Sequence, residues 1–467
     1  MSERERALAA LERSFEATLE SLKSLARIPG VSAAGFEPKE LERSAARVAE
    51  LLREAGLERV EVLRLPRAHP YVVGEWLHAG PKAPTLLIYA HHDVQPPGRA
   101  EKWLTPAFEP TLRADGRLYG RGVVDDKAGL MVHAAAIGAC LRTLARLPCN
   151  VKLIVEGEEE IGSPNLEAFL RAHRERLTAD AIVLSDTANL DSGLPSITTS
   201  LRGLVVVDVR VRALDHPVHS GMWGGPVPDA ATALVRLLAR LVDDRGVIQI
   251  PGLYDDVRAL TPGDRARLTR LPFDEALFRS QAGIARGASL AGERDFSPYE
   301  RLWVRPSLAV TALDAAPIAG SANRLMEEAA ARVGLRLAPS QDAQRAAKLL
   351  SDFLSQSPPN GVEVEVTVES AAGGWETSPE GPAFEAARRA LEAGFGRELA
   401  WIGCGGSIPF VGPFAQVLGG VPALLLGLED PICNAHGENE SLNVDDFKKA
   451  ARAALHLLFE LGEALAR

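Results

Sequence analysis

The chain has 467 residues, of which 46% are hydrophobic and 24% charged: enough for a sizeable core and for more than one domain. That composition excludes the collagen-like, disordered and disulfide-scaffold classes. The 52 basic against 62 acidic residues leave a formal net charge of −10, which argues against a nucleic-acid or anionic-membrane partner held by bulk charge.

The N-terminal stretch lacks the basic-then-apolar layout of a signal peptide. Leu8, Leu11, Phe15, Leu19, Leu22 and Leu25 recur there at three- and four-residue steps, which predicts an amphipathic helix. The apolar run AGLMVHAAAIGACL is interrupted by His133 and lies between Lys127 and Arg142, short of the ~20 residues that a membrane span requires. A cytoplasmic protein is expected. Next come a helix near 40–55, strands near 60–65, 71–77 and 84–90, a helix near 127–145, a strand at 150–156, a helix at 165–176 and a strand at 180–185. Such alternation predicts an α/β domain on a largely parallel sheet.

The pattern changes at about residue 204, where VVVDVRVR alternates Val207, Val209 and Val211 against Asp208, Arg210 and Arg212. A helix carrying Leu234, Leu237, Leu238 and Leu241 follows, then strands near 303–312 and 330–338, a helix at 341–357 and the alternating strand VEVEVTVE at 362–369. This β-α-β-β-α-β order is the ferredoxin-like arrangement. Residues 244–300 read as an insertion within it. After SAAGGWETSPEGP, alternation returns through PALLLGL at 422–428 and a last amphipathic helix near 443–465. The expected architecture is one α/β domain of residues 1–200 and 373–467, interrupted by a smaller domain of residues 201–372.

Chemistry-bearing residues recur where strands end. The strand TLLIYA runs into His91-His92-Asp93, so His91 and Asp93 leave an extended chain on one side, at the edge where open α/β sheets bind ligands. In LYGRGVVDDKAG, Asp125 and Asp126 follow a Gly-rich loop and open a helix; alone, this reads as readily as an N-cap. EGEEEIGS places glutamates at the end of VKLIVE, which alone reads as a solvated acidic loop. AIVLSD ends in Asp186, and ALLLGL leads into EDPICNAHGENE with His436. Solvated loops and core histidines have no reason to recur at one sheet edge. Cys140, Cys149, Cys404 and Cys433 form no CxxC pair, which points to a reducing compartment and leaves His, Asp and Glu as metal ligands. Two histidines and three carboxylates, one of them bridging, suit two Zn2+ ions with room for water.

YAHHDVQP, GRGVVDDKAG, EGEEEIGS, LSD, HSG, GGSIP and AHGENE, in that order from about residue 85 to 445, resemble the dizinc metallopeptidases and deacylases that include carnosinase, aminoacylase, carboxypeptidase G and succinyl-diaminopimelate desuccinylase. HxDVQP, GGSIP and the long insertion lean toward the carnosinase-like dipeptidases. The resemblance implies a zinc-peptidase α/β catalytic domain and a ferredoxin-like lid that also forms a homodimer. It assigns His91, Asp125 and Asp186 to one zinc and Asp125, Glu160 and His436 to the other; Mn2+ or Co2+ would accept the same ligands.

Within EGEEEIGS, which is ambiguous by itself, Gly162-Ser163 sets the family register. Glu159 is then the catalytic base, Glu160 the ligand, and Glu158 falls at a variable position. Glu159 would take a proton from the metal-bridging water and deliver it to the leaving amine. Asp93 would hold the His91 imidazole, while His92 points to the opposite side. His219 matches a histidine that reaches the site of the opposite subunit and stabilises the oxyanion, although His-Ser-Gly is also ordinary loop chemistry. Arg336 matches an arginine that pairs with the substrate carboxylate, with Arg332 on the same strand face as a surface alternative. Ser407 sits at the start of a predicted helix with donors aimed outward, where a plain N-cap is the other reading.

Ala90 stands where the family commonly has Gly, Cys404 where relatives often carry charged residues, and the run around Asn323 departs from the usual NVIP pattern. The expected activity is hydrolysis of an amide bond next to a free carboxylate, by a dipeptidase or short-peptide exopeptidase. The alternatives are an N-acyl amino acid deacylase of the desuccinylase or deacetylase type, and a peptide-binding homologue without catalysis. The complete set of ligands together with Glu159 disfavours the last.

Overall fold

Runs of β-branched and aliphatic residues build the central sheet. In a computed structural model, which describes residues 1–408 and 410–466, the chain divides into two compact units. The first is Met1–Thr199, Ser378–Ile402 and Phe410–Arg467; the second is Ser200–Thr377 and Gly403–Pro409. Pro409 of GGSIP itself lies outside the described residues.

The sheet of the first unit runs in the order Glu58–Leu63, Tyr71–Trp76, Asn150–Glu156, Thr85–His91, Ala181–Leu184, Ala423–Leu425, Ser196–Leu201. The strands from Asn150–Glu156 to Ala423–Leu425 are parallel, and antiparallel neighbours flank them. Asn150–Glu156 is buried at every position, as a parallel strand covered on both faces should be. Leu86, Ile88, Val151 and Leu153 share one apolar core with Ile137 of the helix Lys127–Leu144 and Leu455 of the helix Val444–Ala464. Parallel pairing brings carboxyl ends together, so His91 lies opposite Glu156 and Tyr89 opposite Leu184.

Two expected helices are each broken in two. Ser14 separates Glu3–Arg13 from Phe15–Ala26, and His173 separates Leu166–Ala172 from Arg174–Leu177. Ser196–Leu201 and Ala400–Cys404 are strands that sequence periodicity did not reveal, because SITTSL and AWIGC show neither alternation nor a solid aliphatic run.

The second unit holds a four-stranded antiparallel sheet ordered Ser307–Asp314, Glu328–Leu337, Gly203–Arg212, Glu363–Ala372. With the helices Ala230–Leu238 and Ala343–Ser355, it has βαββαβ topology. Val205, Val207, Val209 and Val211 are fully buried, while Asp208, Arg210 and Arg212 take the other face. The strand expected from residue 303 begins at Ser307, because Ser297 and Glu300 form a capping box that starts a helix over Pro298–Trp303. The 244–300 insertion also contains the helices Pro262–Arg270 and Glu275–Gln281, each started by a side-chain cap, Thr261 and Asp274. Among the described residues, no helix is long and apolar enough to cross a membrane.

Candidate metal centre

The first unit gathers its acids and imidazoles at the carboxyl edge of the parallel strands. His91 ends one strand, Glu159 and Glu160 form a short helical turn just after Glu156, and Asp186 follows Ala181–Leu184. Asp125 lies in the loop before the helix Lys127–Leu144, and His436 in the loop after Ala423–Leu425. The Nε2 of His91 is 2.9 Å from Oδ1 of Asp125 and 3.6 Å from Oδ1 of Asp186. The Nε2 of His436 is 2.9 Å from Oδ2 of Asp125 and 3.2 Å from Oε2 of Glu160. Asp125 therefore presents one oxygen to each histidine. Donor atoms of His91, Glu159 and Asp186 lie within 4.8 Å of one another, as do those of Asp125, Glu160 and His436, and those of Asp125, Asp186 and Glu429.

Surrounding hydrogen bonds fix these groups. The buried Glu440 accepts from the backbone N–H of Gly122 at 3.0 Å and of Val124 at 3.1 Å, and from Arg121 at 2.6 Å, so it holds the loop that delivers Asp125. Asp93 accepts from the N–H of Glu159 at 3.2 Å and of Glu160 at 3.0 Å. Its carboxylate is 3.4 Å, and its carbonyl 3.1 Å, from Nδ1 of His91. One acid thus orients the imidazole and the glutamate turn together. Asp126 makes no capping bond; it accepts instead from the N–H of His91 at 3.3 Å. Gln95 donates to Glu160 from its backbone at 3.0 Å and from its side chain at 2.8 Å. Glu158 turns away, accepting from the N–H of His69 and the hydroxyl of Tyr71. His92 meets the carbonyl of Pro70, and burial pushes its imidazole down to about 4.

The electrostatics ask for cations. Burial alone would raise Asp125, yet His436 and His91 hold it well below the carboxylate range. Burial would depress His91, yet Asp186, Asp125 and Asp93 push it well above its ordinary value. Hydrogen bonds to Asp125 and Glu160 push His436 up to about 11. Burial followed by the Asp186 charge pushes Glu159 well above the usual range. Burial and Asp125 push Glu160 up to about 7, and Glu429 is raised by burial, Asp125 and Asp186. Crowded carboxylates that strain to stay charged, with imidazoles on both sides of a shared acid, fit divalent ions bound through N and O donors.

The remaining predicted site residues belong to the second unit. The exposed His219 accepts at Nδ1 from the N–H of Gly221 at 3.1 Å, which puts the ring proton on Nε2. Arg336 donates to Oγ of Ser407 at 2.9 Å, whereas Arg332 is spent on a surface pair with Asp208 at 2.7 Å. Ser407 is not a helix cap: the next helix, Val411–Val417, has Phe410 at its cap position, and the Ser407 hydroxyl donates to the carbonyl of Arg202 at 2.5 Å. Sequence reasoning missed Glu429, Glu440 and Gln95. Glu429 obeys the strand-end rule that found the others, being the first acid after ALLLGL; His436, in the same loop, drew the attention instead.

The family model for peptidase family M20/M25/M40 matches residues 87–460. The chain is 33% identical over 383 residues to the cysteinylglycine-S-conjugate dipeptidase of Corynebacterium striatum, covering 82% of each. It is also similar to the crystal structure of human carnosine dipeptidase 1, with a TM-score of 0.83, 27% identity and 99% of each chain covered. The Sulfolobus solfataricus M20 family metallo-carboxypeptidase Sso-CP2 matches with a TM-score of 0.82 and 28% identity, over 96% of this chain and 99% of that one. With the family match extending over most of its length, the chain belongs to peptidase family M20/M25/M40.

Proposed function

We propose that this peptidase is a dizinc dipeptidase that cleaves the amide bond next to a free carboxylate. The observation that carries the reading is the position of Asp125 between His91 and His436, 2.9 Å from each. One oxygen of Asp125 would hold an ion with His91 and Asp186, and the other a second ion with Glu160 and His436; Mn2+ or Co2+ could replace zinc. When bound, such ions supply Lewis acidity at the scissile carbonyl and make water acidic near neutral pH. Glu159 lies among the donors of His91 and Asp186 and acts as the base, taking a proton from the attacking water and returning it to the leaving amine.

His219, with its proton on Nε2, serves as the oxyanion donor, supplied by the opposite subunit of a homodimer. In that assembly residues 201–372 act as lid and dimerisation domain, and residues 1–200 with 373–467 as the catalytic domain. Arg336 and Ser407 bind the substrate carboxylate. Cys140, Cys149, Cys404 and Cys433 form no disulfide among the described residues, which supports a reducing, cytoplasmic setting. The names of the C. striatum and human relatives favour dipeptides over N-acyl amino acids as substrates.

The test is steady-state kinetics of the zinc-loaded protein on a panel of dipeptides against N-succinyl and N-acetyl amino acids. Dipeptides are expected to be the faster substrates; higher kcat/KM for the acyl panel would overturn the reading in favour of a deacylase.

A further inference from the structure

Arg117, Arg121 and Arg202 are the buried arginines among the described residues, and one of them lacks an acid. Arg117 donates to both carboxylate oxygens of Asp430, at 2.7 and 2.9 Å, and Arg121 donates to Glu440. Arg202, only 7% exposed, meets neutral acceptors: its Nε donates to the carbonyl of Gly405 at 3.1 Å and its Nη1 to the hydroxyl of Ser307 at 2.9 Å. Among the described residues it has no carboxylate partner. A buried guanidinium without a counter-charge is costly, so its retention calls for an anion that arrives from outside the chain.

A second cation adds to that demand. Arg336 donates to Ser407, Ser407 donates to the backbone carbonyl of Arg202, and Arg336 likewise has no carboxylate partner among the described residues. Burial, then the nearby Arg336 charge, pushes Arg202 down to about 10. The contrast lies on the same strand, where Arg332 is neutralised by a bidentate pair with Asp208. Arg332 is thus paired, whereas neither Arg336, which donates to Ser407, nor Arg202, whose backbone carbonyl accepts from Ser407, has a carboxylate partner among the described residues.

We propose that Arg202 is a second guanidinium of the carboxylate subsite, and that together with Arg336 it determines the preference for substrates ending in a free carboxylate. This rests on the reading of Arg336 and Ser407 as that subsite. The Nη2 of Arg202, which makes no hydrogen bond with the described residues, donates to the carboxylate, while Nε and Nη1 keep the guanidinium plane fixed.

The test compares wild type with Arg202→Met, Arg202→Lys and Arg336→Met, all zinc-loaded. One readout is KM and kcat for a dipeptide and for its C-terminal amide; the other is calorimetric binding of a free amino acid and of its amide, which needs no turnover. Arg202→Met is expected to raise KM for the free acid by about tenfold or more, with kcat changing far less and the amide unaffected. The amino acid should then bind no better than its amide. Arg202→Lys keeps the charge without the fork and should lose part of the discrimination, which keeps the test alive if the Met variant does not fold. Wild-type acid-over-amide discrimination in both variants would overturn the assignment. A wild type that turns over no dipeptide, yet binds the free amino acid in an Arg202-dependent way, would sink the dipeptidase reading and leave Arg202 in place.

Discussion

The three consecutive glutamates of EGEEEIGS have different neighbours. Glu158 is spent on His69 and Tyr71, Glu160 is pinned by Gln95 beside His436, and Glu159 lies among the donors of His91 and Asp186. Glu159→Gln preserves shape and removes the proton acceptor. Turnover should fall by about 10²-fold or more while elemental analysis still finds the wild-type metal content; an active variant would reject Glu159 as base. Glu440 makes a different prediction. Its neutralisation in Glu440→Gln strands the buried Arg121 and loosens the Asp125 loop, so denaturant unfolding should show a loss of about 3 kcal/mol, together with weaker metal retention. Wild-type stability would remove Glu440 from that role. His91 and Asp186 could be placed from the sequence because they end or closely follow apolar strands, while Asp125 was placed as the opening of a helix and His436 by the loop after a strand. Glu440 was not, since nothing in its spacing says that its carboxylate folds back onto residues some 300 positions earlier, the backbone of Gly122 and Val124.

Elements were legible where burial makes a simple pattern. The parallel strands read as apolar runs and the second unit as strict alternation, because one sheet is covered on both faces and the other on one. Capping chemistry decided less visible cases, as at Ser297, where a helix replaces the start of an expected strand. The helix Lys127–Leu144 carries a consequence for pH. His133 is buried on it, bonded to the hydroxyl of Ser185, beside a cavity of about 30 Å3 lined by Leu391, Phe395 and Leu457. Burial pushes this imidazole down to about 4 from 6.5, so the folded protein holds it neutral while an unfolded histidine takes a proton. Its contribution is fully present above about pH 6.5 and fades as pH falls toward 4, amounting to roughly 3 kcal/mol. Denaturation curves at pH 7 and pH 4.5 should therefore differ less for His133→Gln than for wild type, with His92 still contributing a drop of the same sign. An unchanged difference would show that His133 titrates normally.

At the scale of the whole molecule, the change of pattern near residue 204 and the Gly/Ser/Pro crossing after residue 369 led to the expected insertion at 201–372, and the two compact units divide at Thr199/Ser200 and Thr377/Ser378. That residues 403–408 group with the second unit had no such signature, because the bonds Ser407 makes, to the Arg202 carbonyl and from the Arg336 side chain, come from positions far away in the sequence. The homodimer proposed above can be tested by complementation. A His219→Ala chain and a Glu159→Gln chain, each nearly inactive alone, should on mixing recover about one working site per heterodimer if His219 serves its partner. No recovery would return His219 to its own subunit.

The strand Ala423–Leu425 lies between Ala181–Leu184 and Ser196–Leu201, and this sets an order of events on the ribosome. The second unit comes almost entirely from one uninterrupted stretch, Ser200–Thr377, and can begin to fold while later codons are still being read. The sheet of the first unit has to wait with Ala181–Leu184 unpaired on one side, for on the order of ten seconds or more at about 5–20 residues per second. His436 emerges later still, so a nascent chain that already carries His91, Asp125, Glu160 and Asp186 still lacks the last of the five proposed ligands. Both proposed ion sites are complete only once His436 has been made, and a stall or premature stop before residue 423 releases an open apolar sheet edge.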